Sequence, residues 1–148
     1  MGTRRAMLAA ARLGTAHWLF GNLYEEVVDM PGRVADGPRD GGLLGRGSPV
    51  RYYVPAAPVT FAATLASVVR GWDRREDRPV LVAAGALTAV GAAITGHLVR
   101  TVIVRLFDDQ LTAAERERLV ARWHRANRVR LLAATGAGLA LQAVGRRG

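Results

Sequence analysis

The chain predicts an all-α fold, a four-helix up-and-down bundle integral to a membrane. Three observations carry this. Four apolar runs recur along 148 residues, the longest being the 21 residues from Pro79 to Val99 with no Asp, Glu, Lys or Arg. At about 1.5 Å rise per residue, that run matches the ~30 Å hydrocarbon core of a bilayer. The other runs are Ala6 to Leu23, broken only by Arg12 and His17, then Val54 to Val69, and Leu131 to Val144. The charges sit between the runs, and too little polar surface remains to cover a water-soluble domain of this size.

Composition supports the same class. Half of the residues are hydrophobic, 22% are charged, and the mean hydropathy is +0.10. Disorder and collagen-like structure are excluded by the apolar content and the lack of a Gly period. With no Cys, a disulfide scaffold, a thiolate zinc site and a Cys nucleophile are excluded. All 21 basic residues are Arg and the net charge is +9. That balance invites a nucleic-acid reading. The placement of the charges between long apolar runs argues against it, and no nucleic-acid partner is expected.

The elements follow in order as one domain, 1–148. Helix one is expected over about 5–29, ending at Pro31-Gly32. A Gly- and Pro-marked loop of roughly 20 residues follows. Helix two covers about 53–71, and the polar turn at 72–78 leads into helix three, about 79–107, with Pro79 in its first turn. Thr112 followed by Glu115 three residues later is a capping-box pattern. It starts helix four, about 113–144, whose first turns are charged and project from the membrane. The N-terminus carries Arg4 and Arg5 before an apolar stretch, but Arg12 interrupts it and no cleavage context follows, so it is taken as helix one.

We call the N-terminal side of the bundle side A and the opposite side B. The segments flanking the runs carry eight Arg on side A and eight on side B, so charge bias sets no orientation. The expected location is the cell inner membrane, with the lipid bilayer as partner; assembly into a homo-oligomer is an open option.

Polar residues inside the runs converge on side B. His17, Trp18, Gly21, Asn22, Glu25 and Asp29 form one stripe of helix one. Helix two begins on side B with Arg51, Tyr52 and Tyr53. Helix three ends there with His97, Arg100 and Arg105, and helix four begins there with Trp123, His124, Asn127, Arg128 and Arg130. Ionisable groups in a span are costly and face the interior or a wet cavity, unless they lie near a span end and snorkel. His17, Asn22, Glu25, His97, Arg100, His124, Asn127 and Arg128 are therefore expected to line an interior site. Glu26, Asp29, Arg51, Arg105, Arg122, Arg125 and Arg130 are expected at the interface. Glu25 is the expected counter-charge of Arg128.

The chemistry available to such a cluster is acid–base. A His beside Glu and Arg in an apolar pocket is a tunable proton donor or acceptor. Asn and Arg stabilise an oxyanion. His124 or His17 is the candidate base, Glu25 its orienter, and Arg128, Asn127 and Asn22 the oxyanion donors. Trp18, Tyr53, His97, Arg100 and Trp123 complete a site for an apolar small-molecule substrate. His17, His97 and His124 lie on three helices without metal-ligand spacing, so no metal is expected. No nucleotide-binding or hydrolase motif occurs, and no cofactor is expected.

The segment from Arg122 to Leu132, with Trp123, Asn127 and Arg128, resembles the start of the last helix in the anthrone oxygenase-like family of small four-helix membrane proteins. The Tyr52 to Ala56 entry into helix two and the long first loop are also similar. The resemblance implies cofactor-independent oxygenation of an electron-rich polycyclic ketone, as in polyketide biosynthesis. A base removes an acidic C–H proton, donors hold the enolate, and dioxygen accepts its electrons. The residues alone leave two alternatives: a membrane-embedded isomerase or cyclase that uses no oxygen, and a non-catalytic assembly subunit.

Overall fold

The computed structural model describes residues 2–36, 56–108 and 110–145, and among them every element is helical. Helix α1 is Gly2–Val27, α2 is Met30–Asp36, α3 is Ala56–Gly71 and α4 is Arg78–Leu98. A π-helical turn, Val99–Ile103, carries α4 into the short α5, Val104–Leu106. Helix α6 is Ala113–Ala143.

Local chemistry explains the ends. Asp29 adopts a left-handed backbone, φ 49°, which no helix interior accepts, and it separates α1 from α2. The chain therefore does not leave helix at Pro31-Gly32, as the sequence suggests. Pro31 enters the first turn of α2, where its missing N–H costs nothing. The capping box of α6 forms as expected. Thr112 Oγ1 accepts the Glu115 N–H at 3.3 Å, and Glu115 Oε2 accepts the Thr112 N–H at 2.9 Å. The Thr112 hydroxyl also donates to Glu115 Oε2 at 2.7 Å, and this bond first, then that from the Thr112 N–H, holds the Glu115 carboxyl below its usual range.

The four long helices pack in a ring, α1 on α3, α3 on α4, α4 on α6 and α6 back on α1, with α4 against α6 the most extensive contact. Helices α1 and α4 run parallel. Arg4 reaches Asp77 at the start of α4, and about four turns further along Trp18 lies against Gly91, where an added Cβ would collide with the indole. Helix α6 runs the other way. Arg12 donates to the carbonyls of Leu141 and Val144 at its C-terminal end, capping groups that would otherwise lack partners. Asp77 completes the side-A staple by accepting the Gly145 N–H at 2.9 Å.

Small and hydroxylated side chains fill much of the middle of the bundle beside the larger Trp18, Leu81 and Leu141, and several large apolar side chains face outward. Ala11, Thr15 and Asn22 of α1, Thr60, Thr64 and Ser67 of α3, Ala84 and Thr88 of α4, and Ala133, Ala134 and Ala137 of α6 are buried. Leu13, Phe20, Leu132 and Leu139 are 72, 68, 74 and 67% exposed. A compact apolar cluster forms beyond the side-B end, where Leu98, Val102, Ile103 and Leu106 meet Leu119, Trp123 and Ala35. Among the described residues one continuous helical stretch, Arg78–Leu106, is long and apolar enough to cross a membrane; Ala56–Gly71 is apolar but shorter. Helix α1 carries Arg12, His17 and Asn22 within its apolar stretch, and α6 carries Arg128 and Arg130 before its own, so both are less apolar than Arg78–Leu106.

Candidate functional site

The last turns of α1 and the middle of α6 build a layered polar cluster. On α1, Asn22, Glu25, Glu26 and Asp29 follow at helical spacing. On α6, Trp123, Asn127 and Arg130 share one inward face, and His124 and Arg128 lie beside it.

The inner layer is an ion pair. Arg130 Nη2 donates to Glu25 Oε2 at 2.6 Å, and the two side chains are only 4 and 5% exposed. Arg130 Nε and Nη2 also donate to Asn127 Oδ1 at 2.9 and 2.6 Å, and Nη1 reaches Thr95 Oγ1 at 3.4 Å. The Trp123 ring lies 5.6 Å from the guanidinium carbon, a cation–π contact. A buried charge persists only with this density of partners.

Asn127 ties this layer to the outer one. Its Nδ2 donates to Glu26 Oε2 at 2.7 Å and to the Asn22 carbonyl at 3.2 Å. Glu26 then faces His124 Nδ1 at 3.1 Å and Arg128 Nε at 3.3 Å. His124 Nε2 meets Asp29 Oδ1 at 2.9 Å. The imidazole thus lies between two carboxylates, one at each nitrogen, with Trp123 edge-on at 5.3 Å.

The electrostatics follow from this geometry. Both Glu26 and His124 lie outside the charge-free runs. Partial burial pulls the His124 pKa down, but the hydrogen bonds to Asp29 and Glu26 and their charges outweigh it, and the net shift is upward. Burial pushes Glu26 up, and its bonds from Asn127, His124 and Arg128 more than reverse that, so its carboxyl sits below the usual range. The favoured state is an imidazolium donating to two carboxylates.

The structure gathers some of the expected site residues and disperses others. Asn22, Glu25, Trp123, His124 and Asn127 come together as expected. Trp18 is buried against Gly91, edge-on to Phe61 at 5.6 Å, two turns from Glu25. Glu25 does not pair with Arg128; its partner is Arg130, because Arg130 shares the inward face of Asn127 while Arg128 is rotated outward and 71% exposed. Arg130 is therefore an interior residue, not an interfacial one. His97 and Arg100 lie on the outer surface, where His97 Nε2 contacts Arg122 Nη2 at 3.1 Å. His17 is also outward, in an open groove of about 600 Å³ between α1 and α3 with Leu13, Gly14, Ala56, Val59 and Thr60. The stripe spacing misleads here because His17 lies one position from Trp18, which takes the inward direction. Tyr53, with Arg51 and Tyr52, falls outside the described residues.

Glu26, Asp29, Thr95 and Arg130 join the cluster without having been expected in it. Their signal was available in part: Arg130 is seven residues after Trp123 and three after Asn127, the spacing of one helical face. Among the described residues no group of three His, Asp or Glu is arranged to hold a metal ion. No known protein family, characterised protein or solved structure matches the chain.

Proposed function

We propose that this chain is a four-helix bundle embedded in the cell inner membrane that performs acid–base chemistry on an apolar small molecule at its side-B end. The membrane reading is supported by the small residues between the helices together with the large apolar residues on the outer surface. Small and hydroxylated residues meet between the helices, as in membrane bundles, while Leu13, Phe20, Leu132 and Leu139 face outward. Arg78–Leu106 supplies one stretch of sufficient length by itself.

The observation that carries the chemical reading is the position of His124 between Glu26 and Asp29. An imidazolium bonded at both nitrogens has no lone pair with which to accept a proton. It is instead a fixed positive charge and a proton donor beside two carboxylates. We therefore assign oxyanion stabilisation to His124 and Arg128, and proton acceptance to Asp29, whose side chain is 58% exposed.

The reaction this favours is the one the family resemblance implies. A polycyclic ketone gives up a C–H proton to the carboxylate, and its enolate, held by the His124 cation, passes electrons to dioxygen. The carbon–oxygen bond forms as a peroxide. Loss of water then breaks the O–O bond and turns the CH₂ into a carbonyl. One dioxygen is consumed and one water released, with no cofactor.

The test is direct. Purified protein in detergent, given an anthrone under air, is expected to consume oxygen and yield a product with one more oxygen and two fewer hydrogens. His124→Ala, still folded, is expected to lose about 10²-fold in turnover or more. A rearranged product without oxygen uptake moves the assignment to an isomerase or cyclase. The alternative is a non-catalytic assembly subunit. It expects no turnover on any such ketone, and loss of an assembly partner in Arg128→Ala, whose side chain is 71% exposed.

A further inference from the structure

A Thr or Ser hydroxyl inside a helix ordinarily bonds the carbonyl one turn back. Thr60, Thr64, Ser67, Thr95 and Thr101 all do so here, at 2.8 to 2.9 Å. Thr15 and Thr88 do not. Their Oγ1 atoms are buried with no hydrogen-bond partner among the described residues, and so are both side-chain polar atoms of Asn22. These residues are 1, 5 and 0% exposed.

Their positions are not independent. The register of α1 on α4 is an offset of 73 residues, set by Arg4 on Asp77. The same offset puts Trp18 on Gly91, Thr15 level with Thr88, and Asn22 level with Thr95. Two unpartnered hydroxyls therefore face the same level of the bundle. An unpartnered carboxamide lies about two turns nearer side B, past the Trp18 indole and level with Thr95, whose hydroxyl receives Arg130 Nη1. Helix α6 presents Gly138 at Thr15, where even an added Cβ would stand 3.7 Å from Thr15 Cγ2.

We propose that Thr15 and Thr88 hold buried water between α1 and α4 on the side-A flank of the Trp18–Gly91 contact, and that the Asn22 carboxamide holds a further water on its side-B flank, next to the Thr95–Arg130–Asn127 hydrogen bonds. The donor set selects the ligand. Two hydroxyls and a carboxamide offer both donors and acceptors, and no ionised side chain lies at the Thr15–Thr88 level. That combination suits a neutral molecule that both donates and accepts, which water does in the least space. An anion or cation finds no counter-charge there, and an apolar group leaves the same atoms unpartnered. These waters satisfy polar groups on either side of the Trp18 indole, one set in the middle of the bundle and one at the inner edge of the side-B network. Their role holds whichever reaction His124 serves.

The test uses near-isosteric replacements in the full chain, purified in detergent. Thr15→Val and Thr88→Val each remove one hydroxyl with little change of shape. If water is bound, each variant strands it, and the thermal midpoint falls by a few degrees. The double variant then loses less than the sum, because both hydroxyls serve one cluster. If the site is dry, each replacement removes an unsatisfied group, and the midpoint holds or rises, which overturns the proposal. A crystal structure of the unaltered protein gives a second reading that does not depend on the variants folding. Ordered water within hydrogen-bond distance of the Asn22 carboxamide is expected. A structure in which Asn22, Thr15 and Thr88 bond only to protein atoms rejects it.

Discussion

Glu25 and Arg130, 105 residues apart in the chain, close a 2.6 Å ion pair between α1 and α6 with both side chains almost wholly buried. Removing either partner leaves a charge in a site that offers it little water. Glu25→Gln or Arg130→Gln is expected to cost about 3–5 kcal/mol of stability, the range for one half of a buried pair. Replacing both together with apolar residues of similar volume is expected to recover much of that. Thermal midpoints in detergent check this. A double-variant loss equal to the sum of the two single losses would show that the two residues act independently.

The outer layer responds to pH. The His124 pKa is raised above its ordinary 6.5, so its contribution is complete below that value and fades as pH rises through the folded pKa. Glu26 is lowered below its ordinary 4.5, so its contribution is complete above that value and fades as pH falls through the folded pKa. Stability from this layer is therefore expected to be greatest between about 4.5 and 6.5 and to decline on both sides. His124→Gln is expected to flatten the alkaline decline and Glu26→Gln the acid one. A thermal midpoint that climbs as pH rises above 6.5 in the unaltered protein, and does so equally in His124→Gln, contradicts this.

The Trp18–Gly91 contact leaves no room for a side chain on α4 at that level. Gly91→Val is expected to destabilise by about 1–3 kcal/mol through overpacking, despite better helix propensity than Gly. Displacement of the indole from Phe61 should appear in the tryptophan emission. A variant as stable as the parent, with unchanged emission, removes this contact from the helix register.

How much of this was legible in the residues depends on which signal carried each feature. The helices were legible because Pro79 and the Thr112–Glu115 box mark their starts by local chemistry. The convergence of polar groups at one end was legible because up-and-down threading alone brings the end of α1 to the start of α6. Pairing was not legible. Arg128 and Arg130 differ by two residues, a rotation of roughly 200° on a helix, and composition does not say which faces inward. Only the shared face of Trp123, Asn127 and Arg130 decides it. Helix α2 was missed because Pro31-Gly32 is a breaker signal, and the left-handed turn at Asp29 that places Pro31 at a helix start has no sequence mark.

The outer surface decides what solvent surrounds the bundle. Leu132 is 74% exposed on α6, two residues beyond Arg130 and one past the start of the charge-free run. In water such a leucine makes few contacts, and Leu132→Lys is expected to change stability within about 0.5 kcal/mol and to improve solubility. In a bilayer the same substitution sets an ammonium against hydrocarbon. Insertion scales place that at about 2.5–3.5 kcal/mol at a span centre, and less where the side chain snorkels toward a nearby end. Leu139, 67% exposed and two turns deeper, lies five residues from the nearer end of the run, a longer reach for a snorkelling side chain. Under the membrane reading Leu139→Lys is therefore expected to impair insertion more than Leu132→Lys, and under the soluble reading the two are equivalent. Membrane-fraction yield of the two variants, measured after carbonate washing, separates the cases, and equal recovery from the soluble fraction rejects the embedded bundle.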